Sequence, residues 1–217
     1  ERRQLEGQRR LFGRMVSPAV IDQLDPDKIQ LGGERVEITT LFADIRGFTS
    51  FSESLSPEEL VSILNRYLAA AAEALMAQEG TVDKFIGDAV MAWFNAPIPQ
   101  PDHTLRAVKA ALGMRNAIRA LHSEMPPETH LDFGIGIHFG EAVLGLIGTE
   151  KRLDYTAIGD SVNTAKRIQE NSSKNQILIS GAAYLNVRNQ VNARTTEPIL
   201  AKGKSHPVEV FEIIELR

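Results

Sequence analysis

An α+β fold is expected for this chain, with a ferredoxin-like βαββαβ core and a C-terminal α/β extension. Three observations point to it. Val36, Ile38, Thr40 and Phe42 fall on one face of a strand-like run, and a helix-period segment opened by Ser56-Pro57-Glu58-Glu59 follows. Two short strand-like runs, 81–85 and 89–94, then flank a Gly87-Asp88 turn, and a second helical segment begins at Asp102. Finally, Leu131, Phe133, Ile135, Ile137 and Phe139 alternate with His130, Asp132, Gly134, Gly136 and His138, the period of a strand with one covered and one lean face.

Taken in order, residues 1–14 are rich in Arg, Gln and Glu, with Leu5, Leu11, Phe12 and Met15 at helical spacing. The segment is too polar to fold alone, so it packs on a partner helix, continues upstream or frays. Ser17-Pro18 starts a short helix over 19–24, which Asp25-Pro26 ends. The first strand runs from Val36 to Ala43, and Asp44 opens a loop. The capped helix buries Leu60, Leu64, Tyr67, Leu68, Ala71 and Leu75 and stops near Gly80. Asp102 caps the second long helix, which turns Leu105, Val108, Leu112, Ile118 and Leu121 inward. A tight turn near Gly140 separates strand 131–139 from a further strand, 142–147. Residues 161–171 are helical, 176–180 form a strand, 182–187 a short helix, and 191–195 and 208–214 the closing strands.

Composition narrows the function. The chain has 217 residues, 43% apolar and 24% charged, ordinary for a globular domain. A net charge of −4 gives no electrostatic case for a nucleic-acid partner. Cysteine is absent, which removes disulfides, thiolate metal sites and a thiol nucleophile. No apolar run approaches the roughly 20 residues of a membrane span. The first residue is Glu1 rather than Met, as expected of an excerpt from a longer protein.

Several residues suggest phosphate and metal chemistry. Asp44 ends a strand and is followed by Gly47, Thr49, Ser50 and Ser52. An acid beside freed backbone N–H groups can hold a hard cation against nucleotide phosphates, although strand-end acids also occur with no function. Asp88, at the hairpin tip, can lie beside Asp44 in an antiparallel core, and two such carboxylates suit two Mg²⁺ ions. A Gly-Asp tip is also an ordinary turn. Lys84 is either an exposed strand residue or a donor to a base acceptor. Asn163 and Arg167, four apart, share one helical face and could grip a ribose and a reacting phosphate, or simply be solvated. Thr156 could bond a base amine. Lys202 and Lys204 frame a glycine, as a surface turn or a polyphosphate site. A P-loop, a dinucleotide fingerprint, zinc spacing and a nucleophile elbow are all missing.

Five strings in order, FADIRGFTSFSE, VDKFIGDAVMAWF, FGIGIHFGEAVLGLIG, DYTAIGDSVNTAKRI and AKGKSHPVEVFEI, resemble the catalytic domain of class III nucleotidyl cyclases. The resemblance covers about Arg10 to Ile214. It implies a coupling segment at 1–24 and a catalytic domain over 25–217, in the cytoplasm, alone or as part of a larger membrane-attached protein with an upstream sensor. It implies that Asp44 and Asp88 hold two Mg²⁺ or Mn²⁺ ions per site, with Ile45 lending its carbonyl. The turn Arg46, Gly47, Phe48, Thr49 would offer amides to the β- and γ-phosphates. Lys84 and Thr156 match the base-selecting pair, Asn163 orients the ribose, and Arg167 stabilises charge on the α-phosphate. Lys202, with Lys204 the second claimant, would bind the triphosphate tail.

The implied activity is adenylate cyclase, converting ATP to 3′,5′-cyclic AMP and pyrophosphate at sites shared by two copies of the chain. Many relatives carry Asp at the position of Thr156; Thr there is similar to a bicarbonate-responsive subgroup, which makes bicarbonate a candidate effector. Guanylate cyclases carry Glu and Cys at the base-selecting positions, and Lys84 and Thr156 fit neither. The alternatives are a guanylate cyclase or a catalytically silent, nucleotide-binding dimerisation module. A diguanylate cyclase lacks support, because its G-G-[DE]-E-F turn is absent.

Overall fold

The computed structural model describes Val20 and residues 32–149, 151–200 and 206–217. The helices expected over 1–14 and 19–24 lie outside these residues, apart from Val20, which is helical and buried. Strand β1 spans Gly32–Ile45, longer at both ends than its apolar alternation suggests. Helix α1, Phe48–Ser52, occupies what the sequence presents as a loop. Helix α2 covers Pro57–Met76; Ser56 and Glu59 form the expected reciprocal capping box, which satisfies two otherwise orphaned N–H groups. Strands β2, Thr81–Ile86, and β3, Ala89–Phe94, make the hairpin around Gly87-Asp88. Helix α3 is His103–Glu124. Asp102 stands at its N-cap position, but its side chain does not cap; it pairs instead with Arg106 at 2.6 Å.

Past α3 the structure departs from the sequence reading. There is no turn at Gly140: strand β4 runs unbroken over Phe133–Thr149, with Gly140 opposite Ile38 in the ladder with β1. The chain reverses after Thr149 and returns as β5, Arg152–Ile158. Helix α4, Asp160–Glu170, follows. Strand β6, Ile177–Ser180, helix α5, Gly181–Val187, and strands β7, Val191–Thr195, and β8, Val210–Leu216, complete the described chain.

The sheet order is β2-β3-β1-β4-β6-β8-β7, with β5 paired to β4. Its first four strands with α2 and α3 are the βαββαβ core, and β6, β8 and β7 extend it. One face carries Leu41, Ala43, Ile45, Val90, Phe94, Ile135 and Ile137 against Tyr67, Leu75, Val108 and Met114 of α2 and α3. The other carries Ile38, Phe42, Met91 and Trp93 against Ala157 of β5 and Val162 and Ala165 of α4. The glycine side of β4 is therefore not an open face, because α4 lies directly on it. A Cβ on Gly136 would stand 2.3 Å from the Gln169 nitrogen, and one on Gly140 would stand 2.8 Å from the Ser161 Cβ. Small residues at these positions let a helix backbone approach the sheet, and that approach fixes where α4 presents its outer face. Among the described residues, no helix is long and apolar enough to cross a membrane.

Candidate active site

Asp44 and Asp88 come together because β1 and β3 are antiparallel neighbours. Asp44 pairs with Ala89 in the ladder, and the Ile45 N–H donates to the Asp88 carbonyl at 3.3 Å. Burial, and then the neighbouring charge of Asp88, push Asp44 up to about 6; Arg46 pulls it down and Glu170 pushes it up further. Burial also raises Asp88. Negative charge is therefore crowded and poorly solvated here, and a bound cation would relieve it. The donors on offer, two carboxylates beside the strand-end carbonyl of Ile45, are hard oxygens of the kind Mg²⁺ and Mn²⁺ take. Among the described residues no group of three or more His, Asp or Glu gathers to hold a metal. A pair of carboxylates suits an ion that keeps the rest of its shell for phosphate and water.

The turn after Asp44 divides its work. Gly47 takes a left-handed conformation, φ 77°, which a side chain would resist. The Arg46 N–H donates to the Asp132 carbonyl at 2.9 Å, so that amide, one of the four expected to face phosphate, is already engaged within the chain. Phe48 and Phe51 pack on the main core and anchor α1. The Arg46 guanidinium reaches away from the turn, donating to the Gln169 carbonyl and to the Ser172 Oγ at 3.3 Å, at the end of α4. Gly134 makes room for it: a Cβ there would lie 2.6 Å from the Arg46 Nε.

Lys84 and Thr156 meet through Asp83, a residue that nothing in the sequence singles out. The Thr156 hydroxyl donates to the Asp83 Oδ2 at 2.7 Å, and the Lys84 Nζ lies 3.8 Å from the same oxygen. The Asp83 side chain is 2% exposed and that of Lys84 is 39%. Burial raises the Asp83 carboxyl, while the Thr156 bond and the Lys84 charge lower it. Adjacent strand residues normally face opposite ways; a register shift between Val82 and Lys84 lets these two converge. A cavity of about 340 Å³ opens beside them, lined by Asp83, Lys84, Trp93, Arg152, Asp154 and Tyr155.

Asn163 and Arg167 lie on the outward side of α4, Asn163 exposed and Arg167 half-buried. Arg167 pairs with Glu170 at 2.6 Å. The structure thus assembles Asp44 with Asp88, and Lys84 with Thr156, and turns Asn163 and Arg167 away from the core of their own chain. Lys202 and Lys204 lie outside the described residues. Sequence reasoning misses Asp83, Glu170 and the side-chain role of Arg46. An acid next to Lys84 is the one signal available for Asp83, and strand alternation argues against it.

Residues 33–214 match the family model described as the adenylate and guanylate cyclase catalytic domain. Adenylate cyclase 1 of Rhizobium meliloti (strain 1021) is 37% identical over 187 residues, 83% of this chain and 28% of its own length. The adenylate cyclase of Anabaena cylindrica is 34% identical over 217 residues, 93% of this chain and 42% of its own. The chain thus spans less than half the length of these curated relatives. Among solved structures, the adenylyl cyclase CyaB from P. aeruginosa superposes with a TM-score of 0.81 at 34% identity, covering 86% of this chain and 98% of that one. The guanylyl cyclase Cya2 superposes with a TM-score of 0.78 at 38% identity, covering 86% and 96%.

Proposed function

The chain belongs to the adenylate and guanylate cyclase catalytic domain family, and from that premise we propose that it is an adenylate cyclase making 3′,5′-cyclic AMP and pyrophosphate from ATP. The observation that carries this reading is the Asp44–Asp88 pair, two crowded acids at adjoining strand ends beside a helix-opening turn. Asp44, Asp88 and the Ile45 carbonyl would hold one or two Mg²⁺ or Mn²⁺ ions, which when bound supply positive charge against the phosphates and acidify the ribose 3′-hydroxyl.

The chain's own groups do the rest. The amides of Gly47, Phe48 and Thr49 receive the β- and γ-phosphates, and Lys202 the outer end of the tail. Lys84 donates to adenine N1 and Thr156 accepts from the N6 amine. Asn163 holds the ribose so that its 3′ oxygen is in line with the α-phosphorus. The 3′ oxygen then bonds to phosphorus as the bridge to pyrophosphate breaks, its proton passing to water or to a phosphate oxygen. Arg167 stabilises the charge that builds on the α-phosphate, a contribution of a kind whose loss commonly costs about 10²–10³ in rate.

The site is read as shared between two copies of the chain. Asn163 and Arg167 face outward, and Phe85 and Ile86, beside Lys84, are about half exposed. An outward catalytic face next to exposed apolar side chains suits a symmetric dimer with two equivalent sites. The greater length of the relatives supports a place in a longer cytoplasmic or membrane-attached protein, with residues 1–24 coupling an upstream sensor to residues 25–217. Thr156 keeps bicarbonate as a candidate effector.

GTP is the competing substrate, because a guanylyl cyclase structure stands at 38% identity. Assay of the purified chain with Mn²⁺-ATP and Mn²⁺-GTP separates the readings. Cyclic AMP in excess supports the proposal, and cyclic GMP in excess overturns the base assignment. Nucleotide binding without either product would leave a silent binding module.

A further inference from the structure

We infer that Asp83 sets the base preference of this site by accepting the hydrogen bond of the Thr156 hydroxyl, which leaves the Thr156 Oγ able only to accept from the base. The inference rests on the reading of Lys84 and Thr156 as the base-contacting pair. A threonine hydroxyl carries one proton and two lone pairs, so by itself it can donate to guanine O6 as readily as it accepts from the adenine N6 amine. Thr156 alone would therefore be a poor discriminator. Here the rotor is not free. Its proton points to the Asp83 Oδ2 at 2.7 Å, and the carboxylate that holds it is 2% exposed.

Burial raises the Asp83 carboxyl and Asp154 nearby adds to that, while the bond from Thr156 and the Lys84 ammonium, 3.8 Å from the same oxygen, favour its ionised form. A carboxylate has no proton to return, so the donor and acceptor roles in this pair are fixed. What the pair presents is one donor, Lys84, and one acceptor, Thr156. Adenine matches both, with an acceptor at N1 and a donor at N6. Guanine opposes both, with a proton at N1 and an acceptor at O6. Asp83 thereby makes a neutral threonine behave toward the base as a carboxylate would, without placing a second charge beside Lys84.

Asp83 is thus a positioning residue acting through Thr156. Asp83→Ala frees the rotor and should lower the ATP:GTP ratio of kcat/KM by about 10-fold to 100-fold, the scale of one mismatched buried hydrogen bond. Part of that change should be a gain for GTP. Thr156→Val, which has no hydroxyl, should weaken ATP with no gain for GTP, and Thr156→Ser should keep the preference. In the Thr156→Val background, Asp83→Ala should move the ratio less than about twofold. Asp83→Leu, which is close to aspartate in shape but has no acceptor for the Thr156 hydroxyl, serves if the alanine variant does not fold, and should also gain on GTP.

The ratio is read twice, from cyclic products and from dissociation constants for α,β-methylene ATP and GTP. A wild-type chain that binds both analogues but makes no product removes the cyclase reading while the affinity ratio still tests Asp83. A folded Asp83 variant with an unchanged ratio, or one whose ratio shifts equally in the Thr156→Val background, overturns the inference alone. A chain that binds neither analogue overturns both.

Discussion

The guanidinium of Arg46 donates to the main-chain carbonyl of Gln169. Arg46 lies two residues after Asp44, and Gln169 two residues after Arg167. One side chain therefore ties the end of the strand that carries Asp44 to the helix that carries the outward Asn163 and Arg167. It also lowers the pKa of Asp44 by its charge. Arg46→Gln should lose both effects. Hydrogen bonds to a charged donor are worth about 1.5–3 kcal/mol, so urea unfolding should show a loss on that order. The acidic limb of the pH–rate profile should move to higher pH in Arg46→Gln and stay in place in Arg46→Lys. Equal limbs in the two variants would rule out the electrostatic half of this role.

Gly136 sets the distance between α4 and the sheet. A Cβ there would meet the Gln169 main chain at 2.3 Å, and backbone cannot rotate aside as a side chain can. Gly136→Ala should cost about 1–3 kcal/mol, the usual scale for overpacking, and lower the thermal midpoint by several degrees. Activity should fall further than stability, because α4 would be pushed outward with Asn163 and Arg167 on it. Gly113→Ala, in the middle of α3, meets only the Ala74 Cβ at 3.8 Å and should leave activity unchanged while raising stability by about 0.5–1 kcal/mol, since alanine is the better helix former. A Gly136→Ala protein with wild-type stability and turnover would show that α4 does not depend on this approach.

Much of the fold is legible in local patterns along the chain. Period-two and period-3.6 runs mark the core elements in their order, and the Ser56–Glu59 box marks the start of α2 to the residue. What the sequence hides is set by contacts distant along the chain. Gly140 reads as a turn because local pattern cannot see α4, whose close approach is what requires a small residue there. Strand β5 is obscured because its apolar positions serve a hairpin folded over the sheet rather than a simple alternating face. Asp83 is hidden by the register shift that breaks the alternation by which strands are read. Asp44 and Asp88 can be named because strand end and hairpin tip are local features, and antiparallel pairing brings them together.

A site shared by two chains makes a prediction that a one-chain site does not. Asp44→Ala and Arg167→Ala should each be nearly inactive. Mixed at equal concentrations and allowed to exchange, half of the dimers are hybrids, and one of the two sites in each hybrid carries both intact halves. Activity should return to about one quarter of wild type. A pair of substitutions on the same side, Asp44→Ala with Asp88→Ala, should not complement. If subunits exchange and the first mixture stays inactive, each chain must complete its own site.

The acidic pair predicts an inversion of stability with metal. Folded Asp44 keeps its proton up to about pH 6, against the ordinary 3.8. Between those values the folded chain holds more proton than the unfolded one, so this group's contribution is full below about pH 4 and is lost as pH rises toward 6. Asp44→Asn, which mimics the protonated group, should therefore be more stable than wild type at pH 7.5 in EDTA. The difference should shrink as pH falls through 6. Added Mn²⁺ should reverse the order at pH 7.5, because a cation at 100 times its dissociation constant stabilises by about 2.7 kcal/mol and the variant binds it poorly. Below pH 6 that stabilisation should fade as protons displace the metal from Asp44. Thermal midpoints of both proteins at pH 5 and 7.5, with EDTA and with Mn²⁺, give the comparison. A wild-type advantage in EDTA at pH 7.5 would mean that Asp44 is not strained by its neighbours, and an Mn²⁺ shift equal in both proteins would place the metal elsewhere.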